Sequence, residues 1–388
     1  MTFLLKNQSL IIIIKFKTTK EKHMKNILKT ISVLVSASLI SVVAKAGALE
    51  VTGSATATYV INGGQNSTGK ALGISNELMF SASGELDNGY TWKYHTELDM
   101  ADGGGASNDD TALVIGLGDL GTVGIYDAEG GLSTETGFGI GAVGVGQDFA
   151  NTMTRIGMGS DVSAEAHVAY YTPAGLLPFG IEVAAGYAPN TADGQGNSYK
   201  SSGLQADTAI TGTTAQQYRI TAAPIDGLKI GADYFEVGGE VTSALGQENT
   251  AGNMYAQYAM GNFKLGIYQG YLEPGRSTTK GATASADSAT VSNGDQYRFD
   301  GMGIEFAVND QLSLSYSSEE FERRDYIAIA AGATSKTVTA VTADQDTIMA
   351  AYNIGGATVG LSLIDTSNSD YVDGKEEHKT VLSLAMEF

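Results

Sequence analysis

The chain has 388 residues, a net charge of −20 and no cysteine. Without cysteine there are no disulfides and no thiolate metal site, and the acidity excludes nucleic acid and anionic surfaces as partners. Past residue 46 no apolar run approaches the ~18–20 residues of a spanning helix, and regularly recurring Tyr, Phe, Val, Ile and Leu argue against disorder.

The first segment reads as a leader. Met24-Lys25-Asn26 with Lys29 makes a basic start, Ile31 to Ala44 is a largely apolar run, and Ala44-Lys45-Ala46 is an A-x-A cleavage pattern. A secretory signal over 24–46, removed before Gly47, is the expectation, with 1–23 as a mis-called extension. Residues 1–46 hold eight lysines and Glu21, so the remainder keeps 23 − 8 = 15 basic and 43 − 1 = 42 acidic residues, a net of −27. Such a surface attracts cations.

In chain order, residues 49–61 set the pattern. Leu49, Val51, Ala55, Ala57, Tyr59 and Ile61 share one face, and Glu50, Thr52, Ser54, Thr56 and Thr58 the other. A period of two is a strand. Further strands are predicted at 71–86, 89–101, 110–118, 122–127, 165–172, 179–188, 215–223, 228–238, 251–261, 263–274, 297–310, 311–325, 345–356, 357–368 and 378–388. Strand 89–101 puts Tyr90, Trp92, Tyr94 and Leu98 on one side and Lys93, His95, Glu97 and Asp99 on the other, which implies a wet face.

The connections alternate. Short turns fall at Asp87-Asn88-Gly89, Asp119-Leu120-Gly121, Pro224-Ile225-Asp226-Gly227, Gly261-Asn262, Asn309-Asp310 and Gly355-Gly356. Long connections fall at 62–70, 101–109, 128–164, 189–214, 239–250, 275–296, 326–344 and 369–377. The five prolines (Pro173, Pro178, Pro189, Pro224 and Pro274) sit in connections or at strand ends, because proline cannot donate to a ladder. Sorting loops by parity is expected of a closed antiparallel barrel crossing a membrane, with apolar side chains outward and polar ones inward. An all-β, sixteen-stranded transmembrane barrel follows. In lipid an unpaired backbone group costs several kcal/mol, so the sheet must close, and both termini lie on the short-turn, periplasmic side.

Gly116-Leu117-Gly118-Asp119-Leu120-Gly121-Thr122-Val123-Gly124-Ile125 resembles a hairpin of the Gram-negative general porins, and Gly116, Leu117, Gly118, Asp119, Gly121 and Thr122 carry the match. Tyr171-Thr172-Pro173 with Phe179-Gly180-Ile181 is similar to a porin hairpin. Leu382, Leu384, Met386 and Phe388 alternate up to the terminus as in outer-membrane barrels handled by the assembly machinery. The resemblance covers 47–388. It implies a water-filled channel for passive diffusion of small hydrophilic solutes, a homotrimer packed through strands near the two termini, outer-membrane lipids around it, and an inward-folded constriction loop at 128–164. It further implies that loop acids Asp127, Glu129, Glu135 and Asp148 face basic residues across the gap. By parity these bases are Lys93, His95, His167, Arg219 and Lys264, with Arg155 near the loop's end. A transverse field of this kind orients dipolar solutes and tunes ion choice. The chain departs from the family in its scarcity of arginine, which with the net charge favours mild cation passage.

Other motifs carry less. Gly139-Ile140-Gly141-Ala142-Val143-Gly144 matches G-x-G-x-x-G, but no strand–helix context supports a dinucleotide site. His95, His167 and His378 lie on separate strands, without a paired serine for catalysis. Asn108-Asp109-Asp110, Asp344-x-Asp346 and Asp370-x-x-Asp373 offer oxygen ligands for calcium at the outer rim, though none has EF-hand spacing. No cofactor and no covalent step are expected. The alternatives are a substrate-specific channel, marked by a row of aromatic or basic residues, and a barrel-anchored enzyme or adhesin.

Overall fold

The computed structural model describes residues 49–64, 69–101, 105–135, 139–141, 161–189, 210–241, 249–273, 296–328 and 336–388. The leader and its proposed cleavage site lie outside them, as do Asp148 and Arg155.

Sixteen strands are present: β1 (Leu49–Gly64), β2 (Gly69–Glu85), β3 (Thr91–Ala101), β4 (Gly105–Gly116), β5 (Thr122–Asp127), β6 (His167–Tyr171), β7 (Glu182–Ala188) and β8 (Ile210–Ile225) make the first half. The second half is β9 (Leu228–Val241), β10 (Thr250–Met260), β11 (Phe263–Glu273), β12 (Gln296–Ala307), β13 (Leu312–Ala328), β14 (Lys336–Asn353), β15 (Ala357–Ser367) and β16 (Glu377–Glu387). Each strand pairs with its sequence neighbours, and β1 closes on β16, so the sheet has no edge. The expected architecture is the observed one. Among the described residues no α-helix occurs.

Alternation sorts the side chains as a lipid-facing wall requires. Leu72 (78 % exposed), Ile74, Ile267, Met302 and Ile348 point outward, while Ser315, Ser317, Gln345, Thr347, Ser362 and Ser383 point inward and are buried. Trp92, Tyr258, Phe263 and Tyr352 lie near the short-turn ends of their strands, where an aromatic girdle belongs.

Several strands run past their predicted ends. β14 starts at Lys336 rather than 345, because 336–344 pairs in register with an extended β13, from Ala328↔Lys336 onward. Its Ala- and Thr-rich composition reads as loop locally; the ladder partner makes it strand. β4 and β8 likewise begin at Gly105 and Ile210. β7 starts later than predicted. Pro178–Gly180 form a 3-10 turn with Phe179 at φ 62, and neither the proline nor a left-handed residue continues a ladder. Pro224 sits inside β8 at its end, where the register slips between Ala222 and Ile225.

The seam between the first and last strands runs from Ser54↔Glu387 to Gly64↔Glu377. Beyond it Phe388 N–H donates to Gly53 O (2.9 Å) and Gly53 N–H donates to Phe388 O (2.8 Å). The phenyl ring lies where a Cβ on Gly53 would be, 2.8 Å from Phe388 Cε2.

Candidate functional site

After β5 the chain turns into the barrel. Ala128 and Gly130 take positive φ (67° and 74°). Gly130 passes across the Tyr126 ring, and a Cβ there would fall 2.4 Å from Tyr126 Cγ. At Gly131 a Cβ would fall 2.8 Å from an Asp161 carboxylate oxygen. The Gly130-Gly131 pair is therefore what lets the loop enter at this angle.

Two buried carboxylates hold the loop's two ends together and against the wall. Asp161 accepts from Leu132 N–H (3.2 Å), Ser133 N–H (2.6 Å) and Ser163 N–H (2.8 Å). Asp233, inward on β9, accepts from the Thr134 N–H (2.6 Å), the Thr134 hydroxyl (2.7 Å) and Asn253 Nδ2 (3.2 Å). Gln217 joins them. Its Nε2 lies 3.4 Å from both Asp161 Oδ2 and Asp233 Oδ2, and its Oε1 accepts from Val162 N–H (3.0 Å). Asn253 also donates to Ser133 Oγ (3.1 Å). A buried carboxylate is tolerable only when its oxygens are met by donors, and here they are.

Apolar packing completes the seat. Leu132, Ile140 and Val162 are fully buried in one cluster with Ala184, Ala188, Ala215, Phe235, Ala251, Tyr268 and Leu272. Fully burying each aliphatic side chain contributes roughly 1.5–3 kcal/mol. The wall is small where the loop lands: a Cβ on Gly186 would fall 2.9 Å from Val162 Cγ1, and one on Gly303 2.6 Å from Ile140 Cγ2. At the far end Lys264 Nζ donates to Gly139 O (2.9 Å) and to Glu305 (2.8 Å).

Among the described residues the loop thus packs on the wall from β7 to β13 and reaches the opposite wall only through Glu129 at its root. There the inward side chains include Ser54, Thr56, Thr58 and Val60 of β1, Ser75, Glu77, Met79 and Ser81 of β2, and Lys93, His95, Glu97 and Asp99 of β3. Carboxylate oxygens of Glu77, Glu97 and Asp99 lie within 4.8 Å of one another. Ser54 donates to Glu77 (3.3 Å).

Neither a protein-family model nor a curated protein matches the chain. Solved structures do match it. The anion-selective porin from Comamonas acidovorans is similar with a TM-score of 0.58 at 12% identity, covering 89% of this chain and 100% of that one. OmpF of Salmonella typhi, in complex with daunomycin, is similar at 0.56 and 11% identity, covering 88% of this chain and 97% of that one. OmpT of Vibrio cholerae in a trimer form is similar at 0.53 and 12% identity, covering 89% and 100%. The fold is that of a porin.

Within this porin fold the anticipated pore charges are only partly brought together. Glu129 meets His95, with Oε2 2.6 Å from Nε2, which ties the root of the loop to β3. Lys264 serves the loop tip and Glu305 rather than standing free. His167 is buried beneath the loop root; Nδ1 is 2.9 Å from Glu165 O and Nε2 3.2 Å from Gly130 O. Arg219 lies over the Tyr171 ring at 5.7 Å and is the direct cross-strand neighbour of Asp233. Glu135 is half-buried beside Ser133. Lys93 stands exposed in the lumen. Asp127 ends β5 on the outward side, with Ile125 and opposite to Tyr126.

The oxygen clusters sit differently from their expected rim loops. Asn108, Asp109 and Asp110 lie within β4, and Asp344 and Asp346 on the outward face of β14, where Asp346 accepts from Tyr316 OH (2.7 Å). Asp370 is ion-paired to Lys375. His378 faces outward beside Asp365, at 2.5 Å. Of the dinucleotide-like motif, Gly139–Gly141 runs as irregular loop, and Gly144 lies outside the described residues.

The residues that set the loop (Asp161, Asp233, Gln217 and Asn253) were not singled out from sequence. Inward parity on β8, β9 and β10 marks three of them, but their shared target is a segment up to 120 positions away, as for Asn253 and Ser133.

Proposed function

We propose that the chain is an outer-membrane porin of a Gram-negative bacterium that passes small hydrophilic solutes and ions by diffusion, with a mild preference for cations. One observation carries this reading. The constriction loop is clamped to one wall, so the free lumen is bounded on the other side by serines, threonines and the carboxylates Glu77, Glu97 and Asp99. Such a lining wets the passage and concentrates cations in it. The Comamonas porin of the same fold is described as anion-selective, so the sign of selectivity belongs to the lining residues rather than to the fold.

Nothing in this reading requires a cofactor, a metal or a covalent step. The chain works as a homotrimer packed near its terminal strands, and Phe388 at the seam serves recognition by the assembly machinery. Residues 47–388 refolded into a planar bilayer should give stepwise conductance, with a reversal potential in a salt gradient of the sign for cations. Absence of steps would remove the pore reading; strong anion selectivity would remove the charge argument. Deletion of Phe388 should lower the yield of inserted barrel, and normal insertion would remove its role in assembly.

A further inference from the structure

The connection between β15 and β16, residues 368–376, does not rise away from the barrel. It bends inward. Among the described residues, five non-glycine residues have positive φ, and three of them are Asn368 (50°), Asp370 (54°) and Tyr371 (59°). Left-handed backbone at non-glycine positions persists only where surrounding contacts impose it. Those contacts are on the inner wall. Tyr371 is 3 % exposed, its ring 5.8 Å from that of Tyr297 and 5.5 Å from Arg323 Cζ. Tyr297 and Arg323 are direct partners across β12 and β13, and both face inward. The tyrosine ring therefore sits inside the long-loop mouth.

The segment is tied at both ends. Asn368 Nδ2 donates to Thr342 O on β14 (2.8 Å), and Gly374 N–H donates to Asn368 Oδ1 (2.8 Å). Ser369 N–H donates to Lys375 O (2.9 Å). Lys375, almost fully buried, donates to Asp370 and to Glu377 Oε1 (2.9 Å). Beneath Tyr371 the packing continues through Phe299 and Phe321 to Leu132 and Ile140 of the constriction loop, in one apolar cluster.

We propose that the strap 368–376 is a second selectivity element of the pore, bent into the extracellular mouth and anchored there by the buried ring of Tyr371 and by Lys375. It narrows the entrance above the wall that carries the constriction loop. Solutes must then enter along the serine- and carboxylate-lined side, and bulky solutes meet a size limit before they reach the constriction. The inference rests on the pore reading above, but it concerns the mouth alone.

The test uses the whole barrel in liposomes, with uptake of a neutral trisaccharide measured relative to a neutral monosaccharide. Tyr371→Ala and Lys375→Met should each raise that ratio by about threefold or more, since pore width sets passage of uncharged solutes. Lys375→Arg should leave it near the wild-type value, and the reversal potential of Tyr371→Ala should not move, because no charge changes. The cysteine-free chain permits a second readout that does not depend on transport. Ser369→Cys, at a fully buried position, should resist an impermeant thiol reagent on whole cells and become reactive when Lys375→Met is added. An unchanged sugar ratio in both Tyr371→Ala and Lys375→Met, in folded barrels, would overturn the proposal. So would fast labelling of Ser369→Cys in the otherwise unaltered chain. A wild-type barrel that admits no sugar would instead overturn the pore reading itself.

Discussion

From β7 to β13 the inner wall presents Ala184, Gly186, Ala188, Ala215, Phe235 and Tyr268 and is roofed by Leu132, Ile140 and Val162. Across the lumen, β1 to β3 present Ser54, Thr56, Thr58, Glu77, Glu97 and Asp99, with no loop over them among the described residues. Both walls come from the same alternating strands. They differ in what the inward positions ask for. Small and apolar inward residues create a dry seat that something must fill, and the chain fills it with its own loop. Hydroxyls and carboxylates are satisfied by water and so define the open side. The asymmetry of the pore is a packing decision written into inward positions.

The largest effect should come from the clamp. Asp233→Ala strands the donors of Thr134 and Asn253, and hydrogen bonds to a charged group are worth about 1.5–3 kcal/mol each. The loop should leave its seat. Single-channel traces should become larger and noisier, and proteases should cut within 128–164. A quiet trace of wild-type size from Asp233→Ala would mean that the carboxylate does not hold the loop. Next comes the apolar seat. Ile140→Ala empties a fully buried position and should cost about 2–5 kcal/mol by transfer and cavity terms, read as a lowered unfolding midpoint with insertion intact.

A smaller effect belongs to the open wall. Neutralising Glu77, Glu97 and Asp99 together should shift the reversal potential toward zero with little change in conductance. Neutralising Glu129, which is engaged with His95, should disturb the loop root more than the ion preference. If Glu129 alone sets the selectivity, the division between the two walls is wrong.

The smallest effect is alkaline loosening of the mouth strap. Burial lowers the Lys375 pKa, but hydrogen bonds and charges from Asp370 and Glu377 outweigh it and hold the value above the usual 10.5. A lysine raised in the folded state contributes its full stabilisation below the unfolded pKa and loses it as pH rises through the folded one. The trisaccharide-to-monosaccharide ratio should therefore stay flat through neutral pH and rise only above about pH 10.5. A rise already near pH 8 would show that the lysine pair does not retain the strap.

Most of the barrel was legible locally. Residues 49–61 alone show the two-faced period, and Asn88-Gly89 and Gly355-Gly356 mark turns by chemistry that needs no partner. What was hard to read depended on distant pairing. Residues 336–344 look like loop until β13 is laid beside them. Lys264 looks like a free pore charge until Gly139 and Glu305 are found around it. Asp370 looks like a calcium ligand until Lys375 folds back onto it.

Alternation, turn residues and loop lengths depend on neighbours along the chain, and by themselves they determined the strand number, the closure and the side of each loop, while the inward entry of 128–164 was implied only by the resemblance to porins. Which wall that loop covers, which charges it consumes and how the strap carries Tyr371 into the mouth were decided only by the tertiary structure. Those outcomes turn on whether an inward position is small, apolar or carboxylate at the height where another segment arrives, and height around a closed barrel is not a distance along the sequence.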